Sequence, residues 1–330
     1  MYLALIKVMK INKNLKYALV LSGGGARGLV HAGFLCALEN AAYPPPSLIA
    51  GTSMGAIIGG LYASGMRGPA MKRYILEELN VPDFMESLFS EMDGPVGKFL
   101  RTGQIIGNAA TKPGIDSGKK VLKILEKLTD NKKFEDCTIP FLCNAVDILA
   151  GQEVVFRSGS LARAIRSSMS FPFVFEPFLE NGKYLVDGAI AENLPIKSAR
   201  ESGRALGIRR ILAVDTRRWR NIPAHSLKNG LNVVMRCFET MIHVSEAEHE
   251  FEDTLPRLLI TISDKTSAFD FSRKRELFEL GEAAAAKSKA ELDSFFSTGF
   301  RGILARRRKV RAGMELDGFY GGNKIGRAHV

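Results

Sequence analysis

No stretch of the 330-residue sequence stays apolar for the roughly 20 positions that a bilayer-spanning helix needs. The first nine residues, MYLALIKVM, lack the long apolar centre and small-residue cleavage site of a signal peptide. Met9, just before KINKNLK, reads as an alternative start. Cysteine is scarce. Its four copies, Cys36, Cys137, Cys143 and Cys237, keep no metal-ligand spacing, which argues against a structural metal site or a disulfide framework. They read as reduced thiols of a cytoplasmic protein. No internal repeat is present. What is there, 46% hydrophobic and 25% charged residues, is ordinary for a globular chain long enough to bury a large core.

The net charge of +11 is unevenly placed. Residues 299–330 hold eight basic side chains against Glu315 and Asp317, and so carry six of those charges. Such a tail suits an anionic membrane face or loose attraction to nucleic acid, with no specific nucleic-acid partner expected. Its last six residues, IGRAHV, resemble a translated sequencing adapter, and the tail over 298–330 is expected to be disordered. The sequence carries no signal of oligomeric state.

Strand-like and helix-like segments alternate. Tyr17–Leu21 (YALVL) is a continuous apolar run ending in glycines, as a buried parallel strand should be, and a helical repeat follows it. Further strands are expected at Ser47–Ala50, Pro140–Ile148, Glu153–Arg157, Lys183–Val186, Arg210–Asp215 and Arg257–Ile262, with helices between them and a last helix over Arg273–Phe296. The fold class is therefore α/β, a three-layer α/β/α sandwich on a mainly parallel sheet. Residues 1–15 read as an extension, 16–200 as the catalytic region, and 201–297 as the rest of the same domain. A mostly helical insertion at about 66–135 is placed to act as a cap, with Phe84, Leu88, Phe89, Phe99 and Leu100 as apolar membrane-contact candidates.

Three short patterns carry the chemistry. Gly51-Thr52-Ser53-Met54-Gly55 is a G-x-S-x-G between strand and helix, where a sharp turn exposes the serine hydroxyl and Met54 offers a backbone N–H at the helix start. Gly23-Gly24-Gly25-Ala26-Arg27-Gly28 formally matches a dinucleotide fingerprint. That reading needs an acid about 20 positions on, yet Asn40 to Leu76 contains no Asp or Glu. No Gly-Lys-Ser/Thr follows the loop, so it is not a nucleotide-binding P-loop. What remains is a set of backbone donors at a helix N-terminus, suited to an oxyanion, with Arg27 positioning the loop or meeting a lipid phosphate. Asp187-Gly188-Ala189 is by itself a common turn, of interest because the other two patterns need a base. A conventional triad would draw that base from His31, His225, His243, His249 or His329, none in a distinctive setting.

GGGARG, GTSMG and DGA, in that order, resemble the patatin-like phospholipases, especially the bacterial single-domain type. The likeness extends over about 16–290 through VDILAGQEVVF, with Asp147 and Gly151, and through the loop holding Ser168, Pro172, Phe175 and Pro177. Ser22 stands where plant members carry an acid, and Ser167, Met169 and Phe173 depart from the family's usual small residues. The resemblance implies a dyad, with Ser53 as nucleophile and Asp187 as proton acceptor. It implies an oxyanion hole from Gly23, Gly24, Gly25, Ala26 and Met54, supported by Arg27, Gly28, Gly51, Gly55, Gly188 and Ala189. No cofactor or metal is expected. The implied substrate is a phospholipid or lysophospholipid, met in transient contact with a membrane surface, at the inner membrane face for a cytoplasmic enzyme. Two alternatives stay open: a Ser-His-Asp carboxylesterase or thioesterase, and a non-catalytic lipid-binding protein.

Overall fold

Tyr17–Leu21 (β1) is buried along its whole length, which suits a uniformly apolar strand in the middle of a parallel sheet. The computed structural model describes residues 10–80, 114–216, 221–228, 230–249, 257–264 and 266–298, and the backbone of 310–314. After β1, a tight turn over Gly25–Leu29 opens α1 (Val30–Asn40). Then come β2 (Leu48–Gly51), α2 (Met54–Ala63) and α3 (Gly68–Arg73). The chain continues through β3 (Gly114–Asp116), α4 (Lys119–Leu128), β4 (Phe141–Asp147), β5 (Gln152–Phe156) and α5 (Leu161–Ser168). Three short strands follow, β6 (Phe173–Phe175), β7 (Phe178–Glu180) and β8 (Lys183–Asp187), before α6 (Ala189–Glu192) and α7 (Ile196–Gly203). The last elements are β9 (Arg210–Asp215), α8 (Gly230–His249), β10 (Arg257–Ile262), α9 (Lys274–Lys287), α10 (Lys289–Phe296) and β11 (Val310–Met314).

Nine of these strands form one sheet in the order β11-β10-β9-β1-β2-β4-β8-β7, with β5 also on β4. Pairing from β11 across to β4 is parallel, and β5, β8 and β7 add antiparallel pairs. Side chains alternate across β1. Tyr17, Leu19 and Leu21 pack with Phe34, Leu61, Ile165 and Phe278 on one face, while Ala18 and Val20 pack with Leu194 and Ala199 on the other. Helices cover both faces, and the architecture is the expected α/β sandwich.

Some elements differ from the sequence-based expectation. The helix expected over Arg273–Phe296 is two, because Ser288 leaves helical geometry at φ −89° and ψ 16°. The tail expected to be disordered supplies β11, whose backbone takes the edge that β10 would otherwise leave unpaired. The N-terminal extension is tied down by the Asn12 N–H donating to the Phe296 carbonyl at 2.8 Å. Both described ends of the 66–135 stretch belong to the main core, with Met71, Val121 and Leu125 buried in it. The middle of the expected cap, including Phe84, Leu88, Phe89, Phe99 and Leu100, lies outside the described residues.

The feature that builds the site is the way β4 is shared. Cys143 faces Phe156 of β5 on one side and Gly51 of β2 on the other. Two residues on, Ala145 faces Val154 of β5 and Asp187 of β8. A strand has two edges, and β5 holds one of them throughout. So β2 and β8 occupy the same flank of β4 and meet end to end, β2 running up to Gly51 and β8 running down to Asp187.

Candidate active site

The turn after β2 places Ser53 at φ 54° and ψ −119°, a conformation disfavoured for a residue with a side chain. Close packing holds it there. A Cβ on Gly51 would stand 2.3 Å from the Gly55 carbonyl oxygen, and one on Gly55 would stand 2.3 Å from that of Leu21. Both glycines of the motif therefore answer to backbone crowding beneath the serine. The Ser53 N–H donates to the Ser168 Oγ at 2.9 Å, which anchors the turn to the end of α5.

Asp187, at the last position of β8, is 1% exposed. Its carboxylate accepts the Ala189 N–H at 2.9 Å, and the Ser53 hydroxyl lies near enough to act on it as a donor. Burial pushes the Asp187 carboxyl up to about 6, against the opposing pull of those two donors. A buried carboxylate with a raised proton affinity, beside a serine hydroxyl on a strained turn, is equipped to take that hydroxyl's proton.

The glycine loop lies against the serine: a Cβ on Gly23 would be 3.2 Å from the Ser53 Cβ. Its donors divide into two sets. The Gly23 N–H is committed to the Asn193 carbonyl at 3.1 Å, and the Ala26 N–H to the Ala268 carbonyl at 2.7 Å. Among the described residues, the N–H groups of Gly24, Gly25 and Met54 donate to no backbone carbonyl, which fits their places at the starts of helical turns. Gly25 needs to be glycine, since it has φ +58° and a Cβ there would stand 2.1 Å from the Ala268 carbonyl oxygen. Gly28 packs on Met54, where a Cβ would meet its Cγ at 2.4 Å. Arg27 reaches the Thr266 carbonyl at 3.3 Å and so ties the loop to the turn after β10.

His31 is fully buried. Its Nε2–H donates to the Ser22 carbonyl at 2.9 Å, and burial pushes its pKa down to about 4, so the ring is neutral and turned to the backbone behind the loop. His225 is exposed. Among the described residues, no histidine is among the groups that act on Asp187. The side chain of His249 and all of His329 lie outside the description. Among the described residues, no group of three or more His, Cys, Asp or Glu is arranged to hold a metal ion, and no helix is long and apolar enough to cross a membrane.

Sequence reasoning missed several neighbours. Asn144 on β4 accepts a hydrogen bond from the Thr52 hydroxyl at 2.7 Å. Glu192 is buried, accepts from the Lys197 and Ser198 N–H groups, and is pushed up to about 7 by its burial. The Thr216 hydroxyl donates to the Gly23 carbonyl at 2.8 Å. An asparagine inside the apolar run FLCNAV was the one legible signal among these.

Comparison with known proteins now decides the lineage. The family model described as Patatin-like phospholipase matches residues 19–200, more than half of the chain and the whole of the site from glycine loop to Asp187. The chain belongs to the patatin-like phospholipase family. This patatin-like chain is 34% identical over 201 residues to a lysophospholipase NTE1 of Cryptococcus neoformans, a match covering 60% of the chain and 11% of that protein. It is 33% identical over 181 residues to an uncharacterised NTE family protein of Mycobacterium bovis, covering 55% of the chain and 44% of the relative. Among solved structures it is similar to VipD from Legionella pneumophila, with TM-score 0.48 and 15% identity over 87% of this chain and 70% of that one.

Proposed function

We propose that this patatin-like chain is a serine acyl-ester hydrolase of lipids, of phospholipase A or lysophospholipase type, working through a Ser53–Asp187 dyad. The observation that carries the reading is the end-to-end meeting of the Ser53 turn, held at φ 54°, with the buried Asp187 carboxylate, on which the serine hydroxyl acts as a donor. The lysophospholipase name of the fungal relative supports an acyl-lipid substrate.

In the proposed reaction Asp187 takes the Ser53 proton as Oγ bonds to the ester carbonyl carbon. The N–H groups of Gly24, Gly25 and Met54 donate to the oxyanion, each worth on the order of 3 kcal/mol in the barrier. Protonated Asp187 then gives its proton to the departing alcohol or lysolipid as the ester C–O bond breaks. Water attacks the acyl-enzyme, Asp187 takes the water's proton, and Ser53 leaves with that proton restored. Gly23 and Ala26 shape the loop with their own N–H groups turned elsewhere.

Transient membrane contact is part of the proposal. Exposed large apolar side chains among the described residues gather in two places. One is Ile148, Leu149, Leu179 and Tyr184, on the turn after β4 and the β7–β8 hairpin. The other lies on and just before α8, including Val233, Met241 and Val244. Because β4 is parallel to β2, the Ile148–Leu149 turn stands at the same end of the sheet as Ser53. With a net charge of +11 over the whole chain, an anionic lipid surface is the partner that suits the protein.

The deciding experiment is hydrolysis of a short-chain nitrophenyl ester and of lysophospholipid by single variants. Ser53→Ala and Asp187→Asn are each expected to lose turnover by on the order of 10⁴, while His225→Ala and His243→Ala keep it. Full activity in Asp187→Asn would remove the dyad.

A further inference from the structure

The end-to-end meeting of β2 and β8 leaves a mechanical problem. Strands side by side are locked by a ladder, but strands that share a flank end to end are not bonded to one another along their length. The spacing between Ser53 and Asp187 is then inherited from β4, and the residue at the seam is Asn144, between Cys143, which faces Gly51, and Ala145, which faces Asp187.

Asn144 is fully buried, and every polar group of its side chain is hydrogen-bonded, two of the partners lying on opposite sides of that seam. Its Oδ1 accepts from the Thr52 hydroxyl at 2.7 Å, on the residue next to the nucleophile. Its Nδ2 donates to the Glu192 carbonyl at 2.9 Å, with the Gly188 carbonyl farther off at 3.4 Å, both in the segment after Asp187. The other Nδ2 hydrogen goes to the Glu153 carboxylate at 2.8 Å. Acceptors on one side and a hydroxyl donor on the other leave the amide a single satisfied orientation. The side chain also fills the space where Gly188 lacks one, since a Cβ on Gly188 would be 2.5 Å from Asn144 Oδ1. Thr52 closes the circuit, its hydroxyl lying 2.9 Å from the same Glu192 carbonyl.

We infer that Asn144 is a positioning residue that sets the distance between nucleophile and base by joining Thr52 to the Gly188–Glu192 segment across the seam. The inference rests on the dyad reading above. Asn144 touches neither substrate nor the reacting atoms, and it acts through the two residues that flank them. Because a misplacement of about 1 Å at reacting groups costs about a hundredfold, a side chain of similar size that cannot bridge should slow chemistry and leave binding alone.

The test compares Asn144→Leu, Thr52→Val, Thr52→Ser and the Asn144→Leu/Thr52→Val double variant with the parent. The readouts are kcat and KM on the nitrophenyl ester, per site titrated with a fluorophosphonate probe, and thermal melting. Asn144→Leu is expected to lower kcat per titrated site by about a hundredfold with KM within about twofold. Labelling by the probe should slow in step. Thr52→Val should lose more than Thr52→Ser, which keeps the hydroxyl, and the double variant should be little worse than Asn144→Leu, as for groups acting through one bond. Should Asn144→Leu fail to fold, the Thr52 pair carries the test alone: equal kcat in Thr52→Val and Thr52→Ser overturns the inference. So does a titrated kcat in Asn144→Leu within about twofold of the parent, or independent, multiplying losses. Ser53→Ala and Asp187→Asn run alongside: activity surviving in either sinks the dyad reading, whereas both inactive beside an unaffected Asn144→Leu sinks only the positioning role.

Discussion

The Ser53 hydroxyl lies near enough to act on the Asp187 carboxylate, which burial has already pushed up to about 6. A base works only when deprotonated, so kcat/KM for a soluble ester should fall as pH drops through about 6 and level off above it. A pH–rate profile on the nitrophenyl ester checks this. An acid limb centred near 4, where an ordinary aspartate titrates, would contradict the proposed role.

The same burial has a cost in stability. A carboxyl whose folded pKa lies above its unfolded value contributes stability that is present at low pH and lost as pH rises through the folded value. For Asp187 that window runs from 3.8 to about 6, and Glu192, raised from 4.5 to about 7, adds to it. Asp187→Asn should therefore melt higher than the parent at pH 8, by on the order of 2 kcal/mol, with the gain gone near pH 4. Paired thermal melts at the two pH values measure it. A variant less stable than the parent at pH 8 would go against this sign.

Gly25→Ala should damage catalysis more than folding. The added methyl meets the Ala268 carbonyl oxygen at 2.1 Å at a positive φ, and the loop must move away from Ala268 to admit it, which disturbs the placement of its N–H groups. Losing one or both loop donors from the oxyanion predicts a fall in kcat of about 10² to 10³. Steady-state kinetics on the variant, with melting as the control for folding, decides it. Unchanged kcat would remove Gly25 from the oxyanion site.

Much of the sheet could be read directly, and the reason is physical. β1, β9 and β10 are buried through most or all of their length, so YALVL, RILAVD and RLLITI stand out as mainly apolar runs. β3, β6 and β7 have three residues each, too few to show a period. Ser53 was legible because its strained turn demands glycines at fixed offsets. Read from its own residues Asp187 was only a turn, and the family resemblance alone pointed to it, since its place comes from β8 sharing a flank with β2 and strand pairing leaves no mark in a single sequence. His31, one of five histidines without a distinctive setting in the sequence, is fully buried, because α1 covers the sheet beneath the glycine loop.

Leu149 offers a test of membrane contact. It is 67% exposed on a turn shaped by the Asp147 carboxylate, which accepts the Leu149 N–H at 3.1 Å. Leu149→Asp should leave hydrolysis of a soluble ester unchanged and lower activity on anionic phospholipid vesicles several-fold, along with vesicle binding in flotation. Equal loss on both substrates would mean that the turn acts on the site and not on the surface.

The head-on arrangement of β2 and β8 also predicts where this chain tolerates a change of length. Adding a residue between Tyr184 and Asp187 would shift the carboxylate by about 3.3 Å and turn it to the opposite face of the sheet. The turns at Ala150–Gly151 and Asn181–Gly182 lie outside that file, with open space around both glycines. Insertions at those two turns should spare hydrolysis of a soluble ester, whereas one between Tyr184 and Asp187 should abolish it.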